Sequence, residues 1–260
     1  MKKLMIAAAT FAAALTSNIG HAETINVTNW SWNPGLVVGD IRNLTPAAPD
    51  YLALNNLGIG RFELTGTSSF NMPVDLFSYC IDLYTPMSTG TYTYVTGSTL
   101  IPDAARRDLL GTLLSNSAGL LAGASGNQAK VISAATQMAV WEIVYESATT
   151  PFNVTGGDFR VGNFQTGPGD TNMAATQSLA NTYLSNTTNG QWQSAAGSQL
   201  KYLFGNNARQ SQVYVAAVPE PATWGMMILG FGLLGGLLRR GYKAIKGQLL
   251  LRWTPALPAA

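Results

Sequence analysis

The sequence predicts an α+β fold, in which a β-sandwich or barrel-like lobe carries an inserted helical lobe and one C-terminal transmembrane helix follows. Residues 24–96 favour strands, because apolar and Thr- or Tyr-rich runs are separated there by turn-forming residues. Residues 102–146 and 171–184 instead repeat apolar residues at helical spacing, and residues 212–217 return to a strand-like pattern. Strands followed by helices and a returning strand are typical of an α+β domain.

The first 22 residues have the three parts of a secretory signal peptide. Lys2 and Lys3 give a positive start, residues 4–15 are apolar except for one Thr, and small residues lead to Ala22. This apolar run is twelve residues long, which is short of the roughly 20 that a membrane-spanning helix needs. We therefore expect cleavage before Glu23 and export of the chain that follows.

Six segments after this point have strand patterns. The segment 74–84 alternates only in part, and it contains the sole cysteine, Cys80. The predicted strands are residues 24–30, 61–65, 74–84, 91–96, 158–161 and 212–217.

Three helices are predicted between residues 102 and 184. The first begins at Asp103, the second follows a capping-box pattern at residues 125–128 and runs to about Glu146, and the third covers 171–184. On the second helix one face is expected to meet the core, and its members are Val131, Ala134, Met138, Trp141 and Tyr145.

The C-terminal region contains a short motif, an apolar segment and a basic pair in that order. Val218-Pro219-Glu220-Pro221 precedes residues 222–238, which carry no charge and are long enough for one membrane helix. Arg239 and Arg240 follow at once, and basic residues beside a span mark its cytoplasmic end. We therefore expect the bulk of the chain to lie on the outer side of the membrane.

Pro-Glu-Pro, an apolar helix and an Arg cluster together resemble the PEP-CTERM sorting signal of Gram-negative, exopolysaccharide-producing bacteria. The resemblance implies that an exosortase-type transpeptidase recognises the tag and cuts near it. It also implies a chain first held in the membrane by its C-terminal helix and then located at the cell surface or in the extracellular matrix. The expected divisions are a signal peptide (1–22), an exported domain (23–217), the sorting tag (218–240) and a short basic and apolar tail (241–260).

Composition excludes several classes of function. Residues 23–217 contain eight Lys or Arg and twelve Asp or Glu, so this part is acidic and lacks an electrostatic basis for binding nucleic acid. The only histidine, His21, lies in the predicted signal peptide, which removes His-based triads and the commonest zinc ligand from the exported part. We expect no cofactor, no metal and no enzymatic activity.

Two short segments stand out as candidates for chemistry. Tyr79-Cys80-Ile81 lies on a predicted strand, and Gln137 precedes Trp141 by about one turn of a predicted helix. Together they resemble the thioester domain of bacterial surface adhesins. Its signature is an aromatic-Cys-aliphatic strand followed by a Gln-x-x-aliphatic-Trp helix.

This second resemblance implies an internal thioester between Cys80 and Gln137. Tyr79 and Trp141 would pack around the bond, and Asp82 and Glu142 lie near enough in sequence to assist proton transfer. Such a bond is a stored electrophile, open to an amine or hydroxyl group on a partner surface. The implied role is an adhesion or attachment module.

Other interpretations of the same residues remain open. Cys80 suits a buried core residue of a noncovalent biofilm or exopolysaccharide protein. Glu142 and Glu146 suit a paired-carboxylate glycan hydrolase, although a solvated helix face is the commoner use of such a pair. An aromatic glycan-binding surface is a further hypothesis, although aromatics are more often core; its members are Trp30, Trp32 and Trp192.

Overall fold

A computed structural model describes residues 23–44, 52–147, 151–165, 169–194, 199–216 and 228–231. The chain divides into two compact units, Met1–Ala216 and Ala217–Ala260. The predicted signal peptide lies outside the described residues, as does the predicted C-terminal span apart from the helical residues 228–231. Among the helices described, none is both long and apolar enough to cross a membrane.

Six strands of the first unit close into an antiparallel barrel. They are β1 (Thr24–Trp32), β4 (Phe62–Ser68), β5 (Pro73–Cys80), β6 (Gly90–Val95), β8 (Gln199–Phe204) and β9 (Gln212–Ala216). Around the ring the order is β1-β4-β5-β9-β8-β6. Alternate residues Leu76, Ser78 and Cys80 are buried on one face of β5, as expected for a strand with one side against the core.

A second, three-stranded sheet lies outside the barrel ring. Its strands are β2 (Val37–Asn43), β3 (Leu52–Ile59) and β7 (Phe159–Gly162), in the order β3-β2-β7. The carboxylate of Asp40 on β2 accepts hydrogen bonds from the backbone N–H groups of Asn56, Phe164 and Gln165. These bonds fix the segment after β7 against β2.

Four helices are inserted between β6 and β8. They are α1 (Gly97–Leu100), α2 (Ala104–Ala122), α3 (Gly126–Tyr145) and α4 (Met173–Thr188). Helix α3 is the central one, since it contacts α2 and α4 as well as strands of both sheets. Small residues of α3, Ala134, Ala135 and Ala139, are fully buried and let these neighbours approach closely.

The barrel and the inserted helices confirm the predicted combination of a β lobe and a helical lobe. Two local predictions are wrong. Strand β5 ends at Cys80, not at Tyr84, because residues 81–88 form an irregular loop. Ser125 stands at the N-cap of α3 but makes no side-chain capping bond, whereas Asp103 caps α2 by accepting from the N–H groups of Ala105 and Arg106.

The prediction of a single core-facing side on α3 is also wrong. Residues from Ile132 to Ile143 are buried all round the helix, including Gln137 and Glu142. Strands cover one side of α3, while α2 and α4 cover the others. The buried polar side chains of a helix in this position must find hydrogen-bond partners inside the protein.

Candidate functional site

Cys80 is the last residue of β5, where the β4 side of this strand becomes an open edge. The β4 strand begins at Phe62, which pairs with Ser78, so no β4 residue stands opposite Cys80. On the other side Cys80 pairs with Gln212 of β9. The cysteine is fully buried and its thiol is free. The backbone N–H and C=O of Cys80 therefore need a partner that is not a strand.

The side-chain amide of Gln137 is that partner. Its Oε1 accepts a hydrogen bond from the backbone N–H of Cys80 at 2.9 Å, and its Nε2 donates to the backbone C=O of Cys80 at 2.8 Å. A carboxamide has one acceptor and one donor side by side, so it reproduces the pairing that a neighbouring strand would offer. Gln137 is 1% exposed. The amide carbon thus lies within roughly 4 Å of the Cys80 main chain.

Helix α3 holds the chain a second time just after Cys80. The hydroxyl of Tyr145, two turns beyond Gln137, donates to the backbone C=O of Ile81 and accepts from the N–H of Leu83. Gln137 and Tyr145 thus fix the exit of β5 at two successive points. All four of these hydrogen bonds involve side chains of one buried helix, so the position of Cys80 relative to Gln137 is tightly defined.

The thiol of Cys80 is fully buried and has few polar neighbours. Its Sγ donates to the backbone C=O of Asp82 at 2.9 Å and accepts from the N–H of Asp82 at 3.3 Å. Burial raises the pKa of the Cys80 thiol well above its usual range, and the indole N–H of Trp141 and the backbone of Asp82 oppose part of this rise. Trp141 is 2% exposed, and its Nε1 makes no hydrogen bond of normal geometry within the described residues.

The other two residues predicted to surround the thioester occupy different positions. The ring of Tyr79 points to the opposite face of β5 from Cys80 and is buried, which raises the pKa of its hydroxyl to about 12. An interaction with Thr136, the neighbour of Gln137, opposes this rise. The carboxylate of Asp82 accepts from the N–H of Tyr84 in the loop after β5. Asp82 therefore contacts the sulfur through its backbone, not through its carboxylate.

Glu142 and Glu146 do not form a solvated pair, and that expectation is wrong. Glu142 is fully buried, its Oε1 accepts from the N–H of Asn153 at 2.6 Å, and burial raises its pKa to about 8. Glu146 is 2% exposed and accepts from the N–H groups of Asp158 and Phe159. Both carboxylates bind the segment before β7. Within the described ranges, no group of three or more His, Cys, Asp or Glu side chains is arranged to hold a metal ion.

Two of the three tryptophans proposed as an aromatic surface lie together, and the third lies elsewhere. Trp30 and Trp32 line a cavity of about 410 Å³ whose wall also includes Trp141. Trp192 instead packs on Tyr183 of α4, with ring centroids 4.9 Å apart. Sequence reasoning missed this cavity, because loop residues 83–87 and strand β3 complete it and neither was predicted to lie there.

The sorting residues Val218, Pro219, Glu220, Pro221, Arg239 and Arg240 lie outside the described residues. The sequence itself matches a family model for them. A PEP-CTERM protein-sorting motif covers residues 217–241, which confirms that prediction. Comparisons with curated proteins and with solved structures found no significant match. The chain therefore carries a C-terminal signal that implies export and sorting by an exosortase-type system.

Proposed function

We propose that the exported part is a surface or matrix attachment module that stores an internal thioester between Cys80 and Gln137. The observation that supports this most directly is the pairing of the Gln137 amide with the backbone of Cys80, at 2.9 and 2.8 Å, inside the protein. An amide is a poor acyl donor, so the reaction needs nucleophile and amide in fixed contact. Such placement supplies effective molarities on the order of 10⁵ M or more.

In the proposed bond-forming step each group has a role that its contacts support. The Cys80 sulfur attacks the Gln137 Cδ, the Cδ–Nε2 bond breaks, and the thiol proton leaves on nitrogen as ammonia. The Cys80 N–H already donates to Gln137 Oε1, so it stabilises negative charge on that oxygen in the tetrahedral intermediate. The N–H of Asp82 and the indole of Trp141 face the sulfur and stabilise the thiolate.

The stored bond then acts as an electrophile. An amine or hydroxyl of a partner attacks Cδ, the C–S bond breaks, and the thiol recovers a proton from the nucleophile. The product is a covalent link between the protein and its partner. Together with the C-terminal sorting motif, this gives an exported protein that binds its surroundings covalently.

Mass spectrometry of the intact purified protein tests the proposal. We expect a mass lower by one ammonia, about 17 Da, and a gain of about 31 Da on that mass when methylamine is added. Both changes should be absent in Cys80→Ala and Gln137→Ala. Gln177→Ala is the matched control, since Gln177 also lies on a helix and donates to a backbone carbonyl, that of Val161. A full mass with one thiol that titrates after denaturation would overturn the proposal.

A noncovalent structural protein of biofilm or exopolysaccharide is the second candidate. The complete burial of Cys80 and the raised pKa of its thiol favour it. In this case the Gln137 amide serves only to terminate β5. Cys80→Ser would then leave attachment of cells or matrix unchanged, whereas the thioester requires that attachment be lost.

A further inference from the structure

A cavity lies directly beside the contact between β5 and α3. Its volume is about 410 Å³, and none of its lining side chains carries a charge. The lining is aromatic and aliphatic for the most part, and includes Trp30, Trp32, Leu54, Leu57, Phe62, Leu83, Met87 and Trp141. A concave site of this size and character takes a small apolar group.

One side of the cavity, its floor, is formed by the rings of Trp30, Trp32 and Phe62, which are held in place by packing. The rings of Trp32 and Phe62 have centroids 4.2 Å apart, and Trp30 meets Phe62 edge-on at 5.6 Å. Gly58 makes room for this arrangement, because a Cβ at that position would lie 2.9 Å from the Trp32 ring. The floor is therefore formed before any ligand arrives, which reduces the ordering cost of binding.

Trp141 belongs to the cavity wall and to the surroundings of Cys80 at the same time. It follows Gln137 by four residues on α3, so both side chains project from the same face of the helix. Trp141 therefore links the cavity wall to the surroundings of the Cys80–Gln137 contact. The Nε1 of Trp141 makes no hydrogen bond of normal geometry within the described part, and the group that it faces is the Cys80 sulfur.

The hydrogen bonds of Gln137 also favour one class of nucleophile. Loss of ammonia removes the Nε2 group that donates to the Cys80 C=O, and leaves that buried carbonyl without its donor. A primary amine forms a secondary amide, which keeps one N–H, and this N–H points at the Cys80 C=O when the new amide bond is cis. A hydroxyl group forms an ester, which has no N–H to offer.

We infer that this cavity binds the apolar group of a primary amine and presents its nitrogen to the Cys80–Gln137 thioester past Trp141. The presentation step rests on the proposed function, whereas binding in the cavity does not. The expected ligand is an uncharged alkyl or aryl group that ends in a primary amine.

Binding is tested in the full chain carrying Cys80→Ser, in which no thioester can form. Tryptophan fluorescence is titrated at pH 9 with 2-phenylethylamine and with ethanolamine. We expect saturable quenching by 2-phenylethylamine at a concentration at least about tenfold lower than by ethanolamine. Trp30→Ala should abolish the preference, and Trp192→Ala, which changes a tryptophan outside the cavity, should retain it. Equal quenching by both amines would overturn the inference.

The second step, in which the bound amine reaches the thioester, is tested by adduct formation in the wild-type chain, measured by intact mass. Faster reaction with 2-phenylethylamine than with ethanolamine, by about tenfold, supports the full inference. Equal rates would overturn the role of the cavity and leave the thioester intact. No ammonia loss and no adduct would overturn the proposed function, and the Cys80→Ser titration would still decide whether the cavity binds the apolar group.

A third experiment compares the adducts of methylamine and dimethylamine. Only the methylamine adduct keeps an N–H on the new amide, so it should have the higher melting temperature.

Discussion

Helix α3 carries two buried polar contacts that look alike and differ in chemistry. Gln137 binds the backbone of Cys80, and five residues later Glu142 binds the backbone of Asn153. The amide of Gln137 is neutral, and both of its polar atoms have partners. Glu142 has one oxygen without a partner among the described residues, and burial raises its pKa to about 8. A matched neutral group can be placed beside a nucleophile at little cost, whereas a buried carboxylate makes stability depend on pH.

The largest expected effect comes from breaking the neutral contact. Gln137→Leu in a Cys80→Ala background should lower the free energy of unfolding by about 4 kcal/mol, because it leaves a buried N–H and C=O at position 80 unpaired. Urea denaturation measures this change without any contribution from a thioester. Gln177→Leu, which removes a single bond to Val161, should cost less than half as much. Equal losses would show that Gln137 is an ordinary structural side chain.

The next effect concerns the carboxylate one turn after Glu142. Glu146→Ala removes the acceptor for the N–H groups of Asp158 and Phe159, and should lower the free energy of unfolding by about 3 kcal/mol. Hydrogen exchange should show the loss of protection at these two amides. Glu146→Gln keeps the shape and one acceptor, so it should fall between wild type and Glu146→Ala. Unchanged protection in Glu146→Ala would contradict the assigned anchor.

Glu142 should give the protein a pH-dependent stability. Its carboxyl pKa is about 8 in the folded state, against 4.5 as the ordinary value. Between these values the folded state holds a proton that the unfolded state has lost, so stability falls as pH rises from about 4.5 to 8. The slope is at most about 1.4 kcal/mol per pH unit. Urea midpoints at pH 5, 6, 7 and 8 measure this slope of the unfolding free energy against pH. Glu142→Gln should flatten the slope. An equally steep slope in that variant would assign the effect to other groups.

The smallest effect on stability is expected at Trp141. Trp141→Phe keeps a ring in the buried site but leaves unfilled volume there, so it should lower the free energy of unfolding by about 1 to 2 kcal/mol. The same change removes a group that stabilises the Cys80 thiolate, so thioester formation should slow. Thermal melts and intact mass after timed expression separate the two effects. A large loss of stability with normal ammonia loss would reverse these assignments.

The sequence predicted the elements whose patterns are local. The segments around Thr24 and Thr91 became β1 and β6, and all three long helices lie close to their expected positions. Strands β2, β3 and β8 were missed. β2 contains Gly39 and Asp40, and β3 contains Asn56 in a left-handed conformation with φ of 54°, so neither has a regular strand pattern. The pairing of β2 with β7 depends on contacts between residues far apart in sequence.

The candidate site likewise combines features that the sequence predicted with features that only the structure shows. Cys80 and Gln137 were singled out by a resemblance, and the structure brings them together; the double hydrogen bond between them had no signal in the residue pattern. Glu142 and Glu146 were misjudged because charges spaced four apart usually face solvent. Only the packing of α3 against strands on one side and helices on the other reveals that they are buried.

The place of β9 in the barrel has a mechanical consequence. This strand ends at Ala216, immediately before the sorting motif, and its residues Gln212 and Val213 pair with Cys80 and Tyr79. Tension applied through the C-terminal segment therefore enters the fold along β9 and reaches Cys80 within five residues. The other flank of β9 is held by five residue pairs to β8, loaded in shear along the strand. On the β5 side, such a load is carried by the pairs of Val213 with Tyr79 and of Gln212 with Cys80, next to the candidate bond.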